Sequence, residues 1–305
     1  METERPPVVV IAAAGRAKRF LGEQKVLAEV GGVPAICRVA STCEEALGPH
    51  QQLVIIGHEG EQVRAALGEA PHRSYITQHP QLGTGHALAT ALAHLDGECG
   101  REVYFLCGDK PLLSAESLRG LRRELHASRS AMAFLTGVLE GDPRHSRQGR
   151  VLQAHRDTPQ AEVLAIVERA TIDALGDGES MTFESFAGQR HEYTREQLLA
   201  VREVNISAYV WRGEVLREHI GTLPLHPEKG EYFVTDLVHI LRRDRLLVRA
   251  IAVCHRAEGM GIDTREQLVA ANGVWDLLRR PAAAVSLLDR TLEGAVAEEA
   301  TDAVL

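Results

Sequence analysis

The stretch "VVVIAAAGRAKRFLGEQKVL", residues 8–27, indicates the fold of this chain. It opens with four β-branched residues and three alanines, a pattern typical of a strand buried on both faces. The pattern breaks at Gly15, and a segment with four cations and few large apolar residues follows. A strand that ends in a glycine turn presents backbone N–H groups to an anion, so we expect a phosphate chain here. A solvated turn fits the same residues, because neither common glycine-rich phosphate motif is present. The four cations are Arg16, Lys18, Arg19 and Lys25.

Apolar strands alternate with amphipathic helices through the first 140 residues. We predict strands over Val8–Ala14, Leu53–Gly57, Ser74–Thr77 and Glu102–Asp109. We predict helices over Pro34–Leu47, Gly60–Leu67, Gly85–Leu95 and Ser114–Ser128. This order predicts an α/β protein with a mostly parallel sheet and helices on both faces. Such sheets bind ligands beyond the carboxyl ends of their strands.

The pattern changes after residue 140. Residues 149–155 and 162–170 predict two antiparallel strands, and the polar residues 173–196 are typical of an insertion or lid. The sequence shows no internal repeat and no low-complexity linker, so we expect the second half to pack beside the first as a smaller sub-domain. Its other predicted elements are strands over Val204–Trp211 and Leu246–Val253, helices over Gly213–Ile220 and Tyr232–Arg242, and a helical tail after residue 272.

The bulk composition disfavours several classes of protein. The 305 residues carry a formal net charge of -8, which disfavours general binding to nucleic acid or to a membrane surface. The five cysteines form no C-x-x-C pair, which disfavours a disulfide framework or a structural zinc site. No stretch reaches the ~18 consecutive apolar residues of a membrane span, and the start does not resemble a signal peptide. We therefore expect a cytoplasmic protein without nucleic-acid or membrane partners.

Two further segments carry residues suited to chemistry. Asp109, in "GDKP", lies at the end of a buried strand, where a carboxylate is costly unless a cation neutralises it. Mg²⁺ suits this position because it prefers one or two carboxylates together with phosphate oxygens. A turn or helix-capping aspartate is the alternative. In "QLGTGHA", residues 81–87, two glycines at a helix start allow close approach of a ring or a phosphate. We expect His86 in this segment to be a structural hydrogen-bonding residue.

Seven segments in this order carry a resemblance to a known family. They are "AAAGRAKRF…QKVL", "QLGTGHA", "CGDKPLL", "GRV…IVERA", "VNISAYV", "GEYFVTD" and "GIDTREQL". Over residues 8–272 the sequence resembles the sugar-1-phosphate nucleotidyltransferases, especially the pyrophosphorylase domain of bacterial N-acetylglucosamine-1-phosphate uridyltransferase. The resemblance implies a Rossmann-like fold with a smaller antiparallel sugar-binding sub-domain. It also implies Mg²⁺-dependent transfer of a uridylyl group from UTP to a sugar 1-phosphate, with N-acetylglucosamine 1-phosphate as first choice, giving a UDP-sugar and pyrophosphate.

The resemblance also implies a role for each matched residue. Arg19 and Lys25 would be the catalytic cations that neutralise the triphosphate. Asp109 and Asp263 would hold Mg²⁺. The residues lining the nucleotide would be Ala13, Ala14, Gly15, Gln78, Gly83 and Thr84, of which Gln78 and Gly83 would read a uracil base. The sugar-binding residues would be Gly149, Glu168 and Asn205.

The same resemblance divides the chain into parts. It implies a nucleotidyltransferase domain over residues 1–272, with a nucleotide-binding half over 8–140. The sugar-binding half would cover 141–272, including the insertion 173–196, and a helical tail would cover 273–305. In the bifunctional relatives an acetyltransferase domain supplies most of the trimer contacts, and this sequence has no such hexapeptide repeats. A homo-oligomer therefore stays open.

Departures from the family pattern keep two other functions open. Ala17 and Lys18 replace the family's usual glycine and threonine, and Cys107 replaces a tyrosine before "GD". Asp263 stands where the uridyltransferase has asparagine, although two carboxylates should bind a divalent cation at least as well. One alternative is a nucleotidyltransferase that uses another NTP or another phosphate acceptor. The other is a non-catalytic nucleotide-sugar binding protein, which the retention of Lys25 and both aspartates disfavours.

Overall fold

A computed structural model of the chain describes residues 5–15, 24–57, 60–95, 100–155, 158, 161–227 and 229–279. The strands are β1 Val8–Ala13, β2 Glu29–Val30, β3 Val33–Pro34, β4 Gln51–Ile56, β5 Arg73–Thr77, β6 Glu102–Cys107, β7 Met132–Val138, β8 Arg150–Ala154, β9 Glu162–Val167, β10 Ser180–Glu184, β11 Arg190–Thr194, β12 Glu203–Arg212 and β13 Val248–Ala252. The helices are α1 Ala35–Leu47, α2 Gly60–Leu67, α3 Gly83–Leu92, α4 Ala115–Ala127, α5 Arg169–Asp173, α6 Arg195–Ala200, α7 Gly213–His219, α8 Asp236–Arg243 and α9 Arg265–Leu278.

One mixed sheet forms the centre of the molecule. Its main strand order is β13-β7-β12-β6-β1-β4-β5. In this path β12 runs antiparallel to both neighbours, whereas the other adjacent pairs are parallel. Because β1 and β6 are parallel neighbours, with Ala12 opposite Cys107, their carboxyl ends meet at one edge of the sheet. The mostly parallel sheet is confirmed, and this edge is where a ligand was expected.

The alternation of side chains along β1 explains why the whole strand is apolar. Val8 and Val10 belong to one buried cluster, which helices α3 and α8 cover. Val9 and Ile11 belong to a second cluster on the opposite face, which helices α1 and α4 cover. All four side chains are completely buried, and each contributes about 1.5–3 kcal/mol of hydrophobic stabilisation. The prediction of helices on both faces is therefore confirmed.

A smaller antiparallel unit branches from the main sheet. β8 pairs with β9 and also meets β12. Within the insertion 173–196, β10 and β11 form a separate two-stranded sheet. This unit has an apolar cluster of its own, which includes Leu152, Leu164, Phe183 and Leu198. The smaller antiparallel sub-domain is confirmed, and its sugar-binding role stays a prediction.

The main sheet and its helices differ from the sequence-based predictions in two places. The sequence pattern does not predict β7, an interior strand between β13 and β12 in which residues 132–137 are buried. The predicted helix over Tyr232–Arg242 is wrong at its start, because α8 begins at Asp236. The backbone N–H of Tyr232 instead donates to the carbonyl of Leu82. Tertiary hydrogen bonding has therefore replaced the first helical turn.

Helix α9 bears on the predicted boundary at residue 272. It runs without a break from Arg265 to Leu278, and the Thr264 side chain caps its start. The division of the chain into 8–140, 141–272 and a tail stays a prediction, and residues 280–305 of that tail lie outside the described residues. Within the described ranges, no helix is both long enough and apolar enough to cross a membrane.

Candidate active site

Three charged side chains meet at the edge where β1 and β6 end. Asp109 follows β6, Lys25 begins a short 3-10 turn, and Asp263 lies just before α9. Lys25 Nζ contacts Asp109 Oδ2 and lies 2.7 Å from Asp263 Oδ1. The backbone joins the two aspartate segments as well, because the N–H of Ile262 donates to the carbonyl of Asp109 at 3.1 Å. We call Lys25, Asp109 and Asp263 the charged centre; it unites three of the four side chains expected at the phosphate and metal site.

The first loop is described as far as Gly15, so the fourth of those side chains, Arg19, lies outside the described residues. Ala13 and Ala14 are buried, whereas Gly15 is exposed, and among the described residues no atom lies within 4 Å of a Cβ added to it. At the end of the neighbouring strand β4, a Cβ added to Gly57 would lie 2.9 Å from the carbonyl oxygen of Ala14. The two strand ends therefore approach each other closely, and the roles of the loop residues stay predictions.

The charges at this centre fit a divalent cation. Burial lowers the pKa of Lys25, but the carboxylates of Asp109 and Asp263 outweigh burial and raise that pKa above its usual value. Asp109 Oδ1 is buried and has no hydrogen-bond partner within the described part of the chain. A buried carboxylate oxygen without a donor is costly. A cation that takes oxygen ligands would satisfy it, and a second carboxylate lies on the same ammonium group.

Residues 81–87 and 230–236, two of the segments quoted above, contact each other directly. The backbone N–H of Tyr232 donates to the carbonyl of Leu82 at 2.8 Å. The backbone N–H of Gly85 donates to the carbonyl of Tyr232, also at 2.8 Å. These reciprocal bonds join the glycine loop at the start of α3 to the segment before α8. We call this contact the interlock.

Side chains tighten the interlock. Gly83 has a φ of +89°, and an added Cβ would lie 2.7 Å from the carbonyl oxygen of Tyr232. Thr84 Oγ1 accepts from the backbone N–H of Val234 at 3.1 Å. The loop therefore needs glycine at position 83 for conformation and for space. Thr84 holds the opposite segment in place.

Gln78 lies buried behind the glycine loop. Its Nε2 donates to the carbonyl of Gly83 at 3.0 Å and lies 3.0 Å from Nδ1 of His86. The His86 ring stacks on Tyr232, with 6.4 Å between the ring centres. Gln78 and Gly83 are thus in direct contact, as expected of two residues that line one pocket. His86 has the hydrogen-bonding partner that the sequence analysis expected.

The three residues predicted to bind a sugar also lie together, and we call them the sugar side. The backbone N–H of Asn205 donates to the carbonyl of Gly149 at 3.0 Å, and a Cβ added to Gly149 would lie 3.3 Å from Glu168 Oε1. Burial raises the pKa of the Glu168 carboxyl, although the hydroxyl of Thr235, which donates to it at 2.9 Å, opposes that rise. This carboxylate is therefore a partly desolvated acceptor.

A β-bulge fixes the position of Asn205. The register between β12 and β7 shifts between Asn205 and Tyr209, and Ser207 within the bulge has a φ of +60°. Asn205 Oδ1 accepts from the backbone N–H of Ser207 at 3.0 Å.

On the neighbouring strand, burial and the nearby Asp109 raise the pKa of the Cys107 thiol to about 12. Cys107 therefore adds neither charge nor an aromatic ring to the site.

Thr235, whose hydroxyl donates to Glu168, is a residue of this region that the sequence pattern does not predict. Thr235 lies in the same segment, 230–236, that forms the interlock with residues 81–87. Nothing in its local sequence points to Glu168. The only available signal was the presence of "GEYFVTD", "QLGTGHA" and "IVERA" in one chain.

The chain is similar in sequence to known nucleotidyltransferases. Residues 9–178 match the family model described as "MobA-like NTP transferase domain". The bifunctional protein GlmU of Streptomyces avermitilis is 32% identical over 294 residues, which cover 95% of this chain and 55% of the relative. The bifunctional protein GlmU of Heliobacterium modesticaldum is 34% identical over 284 residues, which cover 92% of this chain and 55% of the relative. This chain therefore spans about half the length of the curated relatives it matches.

Its fold is also similar to that of solved proteins. The crystal structure of UDP-glucose pyrophosphorylase complexed with UDP-glucose aligns with a TM-score of 0.66 at 14% identity. The alignment covers 90% of this chain and all of that one. At this identity the similarity concerns the fold alone. It confirms the predicted nucleotide-diphospho-sugar transferase type of mixed sheet.

Proposed function

This chain belongs to the MobA-like NTP transferase family, and from that premise we propose that it transfers a uridylyl group from UTP to a sugar 1-phosphate. Family membership makes the chain a nucleotidyltransferase. The proposal adds the substrates, UTP and N-acetylglucosamine 1-phosphate, and the products, a UDP-sugar and pyrophosphate. The proposal also includes a cytoplasmic location. Light scattering would show whether the protein forms a homo-oligomer.

One observation carries the proposal: Lys25, Asp109 and Asp263 share one point at the carboxyl edge of the sheet. They come from three distant parts of the chain, and local folding does not require their meeting. Two polyanionic reactants repel each other, so a site for them needs cations beside the reacting phosphorus. A lysine between two carboxylates supplies one cation and two ligands for another.

The proposed reaction is a substitution at the α-phosphorus of UTP. A phosphate oxygen of the sugar 1-phosphate forms a bond to this phosphorus, and the bond to the β-phosphate oxygen breaks as pyrophosphate leaves. Lys25 stays protonated, since its two carboxylate partners raise its pKa. Its charge would stabilise the phosphate oxygens, with Arg19 assigned the same role. Asp109 and Asp263 would hold Mg²⁺, which when bound neutralises phosphate charge. Positioning and charge account for most of such catalysis.

The base and the sugar would be recognised at opposite ends of the site. The Nε2 atom of Gln78 already contacts the carbonyl of Gly83 and Nδ1 of His86, so we assign the side-chain carbonyl of Gln78 to the N3–H of uracil. Gly83 would hold the loop in the conformation that faces the base, because only glycine combines this positive φ with close packing against the Tyr232 carbonyl. On the sugar side, the carboxylate of Glu168 and the amide of Asn205 would accept from and donate to hydroxyl groups.

A substrate matrix tests the proposed function. Each of the four NTPs is incubated with Mg²⁺ and a panel of sugar 1-phosphates and non-sugar phosphates, and pyrophosphate release is measured. We expect release with UTP, and most rapidly with N-acetylglucosamine 1-phosphate. Release with CTP alone, or with a non-sugar phosphate alone, would replace this proposal by the other nucleotidyltransferase activity. No release with any pair, together with tight binding of a nucleotide sugar, would indicate the non-catalytic binding protein.

A further inference from the structure

The β2–β3 hairpin and helix α9 pack against each other beside the charged centre. The hairpin begins four residues after Lys25, and α9 begins two residues after Asp263. We call residues 29–34 together with α9 the clasp. Its two halves share one buried apolar cluster, which includes Val30, Ala35, Ala271, Val274 and Leu277. Lys25 lies just before one half in the sequence and Asp263 just before the other, so the packing of the two halves brings together the segments that carry these residues.

Asn272 joins the two halves with its side-chain amide. Its Oδ1 accepts from the backbone N–H of Gly31 at 2.8 Å, and its Nδ2 donates to the carbonyl of Glu29 at 3.0 Å. One amide thereby satisfies a donor and an acceptor of the same turn, which neither an aspartate nor an apolar side chain does. Nδ2 also donates to the carbonyl of Leu268 on its own helix at 3.0 Å. This bond fixes the orientation of the amide.

Trp275, one turn further along α9, packs against the same hairpin turn. Gly31 has a φ of +57°, and a Cβ added there would overlap the indole ring of Trp275. The guanidinium of Arg38 lies 3.5 Å from the centre of this ring, and its Nη2 donates to the carbonyl of Gly31 at 3.2 Å. The turn therefore cannot move away from α9 without breaking hydrogen bonds and a cation–π contact.

Short connections link the clasp to the charged centre. The backbone N–H of Ala35 donates to the carbonyl of Ala28 at 2.9 Å, which closes the hairpin just beyond Lys25. The backbone N–H of Asp263 donates to Oε1 of Gln267 in the first turn of α9 at 2.7 Å. Asn272 lies nine residues beyond Asp263 in the sequence, about 13 Å at the rise of a helix. Asn272 therefore lies outside the site. The backbone that connects it to the site is hydrogen-bonded just beyond Lys25 and at Asp263.

We infer that Asn272 is a positioning residue for the proposed reaction. Its bonds to both edges of the hairpin turn hold Lys25 and Asp263 at the spacing that a divalent cation and a triphosphate require. The inference rests on the proposed function for its kinetic consequence. Its structural consequence, the placement of the Ile262–Asp263 segment against Asp109, is independent of any substrate. Groups that orient the ligands of a metal typically change its affinity by about 10-fold to 100-fold.

The test compares Asn272→Ala with a variant that destabilises the protein elsewhere. Leu125→Ala opens a cavity in the main core, since Leu125 is buried on α4, and serves as the matched control. Asn272→Gln, which keeps the amide, is the conservative variant. Three quantities are measured for each protein: the affinity for Mn²⁺ without substrate, kcat and KM for the sugar 1-phosphate, and hydrogen exchange at the N–H of Ile262.

We expect Asn272→Ala to weaken Mn²⁺ binding and to lower kcat, each about 10-fold, with KM for the sugar 1-phosphate unchanged. Exchange at Ile262 should be about 10-fold faster, Asn272→Gln should recover part of each effect, and Leu125→Ala should show none of them. Equal effects in Asn272→Ala and Leu125→Ala, or wild-type values in Asn272→Ala, overturn the inference. If the wild-type protein releases no pyrophosphate from any NTP, the proposed function fails, while Mn²⁺ affinity and exchange still decide the role of Asn272.

Discussion

The charged centre and the sugar side are built from different interactions. In the charged centre, Lys25 and two aspartates are held by formal charges from three distant segments. On the sugar side, a backbone hydrogen bond joins Gly149 to Asn205, and one desolvated carboxylate, Glu168, is the main charge. The difference indicates a division of work: the charged centre would drive phosphoryl chemistry, and the sugar side would choose the acceptor. Substitutions in the two regions should therefore change different kinetic constants.

The largest effect is expected from Asp109→Asn. The metal site would lose a charged ligand, and Lys25 would lose the nearer of its two carboxylate partners. We expect pyrophosphate release to fall about 100-fold to 1000-fold, the size seen when one transition-state-stabilising group is removed. The control is Asp244→Asn, because Asp244 is an exposed aspartate that pairs with Arg243 and His219 and takes no part in the charged centre. Wild-type turnover and unchanged Mg²⁺ dependence in Asp109→Asn would contradict the metal assignment.

Lys25→Ala should separate catalysis from metal binding. We expect kcat to fall about 100-fold, with a much smaller change in KM for the sugar 1-phosphate. Without nucleotide, however, Mn²⁺ should bind about 10-fold more tightly, because both carboxylates lose the ammonium group that competes with the metal. Electron paramagnetic resonance of Mn²⁺ measures this affinity. If only the affinity for the sugar 1-phosphate changed, Lys25 would act in sugar binding, and the proposed difference between the two regions would be wrong.

Glu168→Gln should act mainly on the acceptor. Replacing a charged acceptor by a neutral amide should raise KM for the sugar 1-phosphate about 10-fold and leave kcat within a few-fold of wild type. Thr235→Val, which removes the hydroxyl bound to Glu168, is the companion variant and should have a smaller effect. A larger loss in kcat than in sugar affinity would place Glu168 in the chemical step instead.

The pH dependence of sugar binding gives an independent measure of Glu168. Because burial raises the pKa of this carboxyl, it should take up a proton at a higher pH than an ordinary glutamate, whose pKa is about 4.3. As the pH falls through this raised pKa, Glu168 loses its charge and KM for the sugar 1-phosphate should rise. The rise should be absent in Glu168→Gln. A wild-type KM that stays constant down to the pH at which an ordinary glutamate begins to take up a proton would argue against the assignment.

The smallest effect is expected from Gly149→Ala. The added Cβ would lie 3.0 Å from Cγ2 of Ile166 and 3.3 Å from Glu168 Oε1. Both neighbours are side-chain atoms that can shift by a few tenths of an ångström, so we expect a loss of about 1 kcal/mol in stability. KM for the sugar 1-phosphate should rise about two- to fivefold, the effect of a carboxylate displaced slightly. Thermal unfolding and steady-state kinetics provide the two measurements.

Much of the fold follows from the sequence because burial leaves a local signature. β1 and β6 are covered on both faces, so every residue in them except Glu102 at the start of β6 is apolar or aromatic, and both strands are visible in the sequence. The position of Asp109 follows as well, since a carboxylate after such a strand must lie at the sheet edge. β7 was missed although it is equally buried. Its residues, "MAFLTGV", include alanine and glycine, which are depleted in strands and interrupt the run of large apolar residues.

The site was harder to predict because its contacts are not local. Lys25 and Asp263 are 238 residues apart, and only the family resemblance placed them together. The start of α8 was misplaced for a related reason: the backbone of Tyr232 bonds to Leu82 instead of continuing a helix. Helical periodicity is a property of one segment of the sequence, so it cannot predict a hydrogen bond from that segment to a distant one.

The interlock limits how this enzyme can be redesigned. Residues 81–87 would face the base, and Thr235, from the segment paired with them, holds a carboxylate on the sugar side. A transplanted loop without glycine at position 83 would clash with the carbonyl oxygen of Tyr232, 2.7 Å from an added Cβ. Chimeras should therefore exchange residues 81–87 and 230–236 as a matched pair. Libraries that randomise one segment should let the other vary with it.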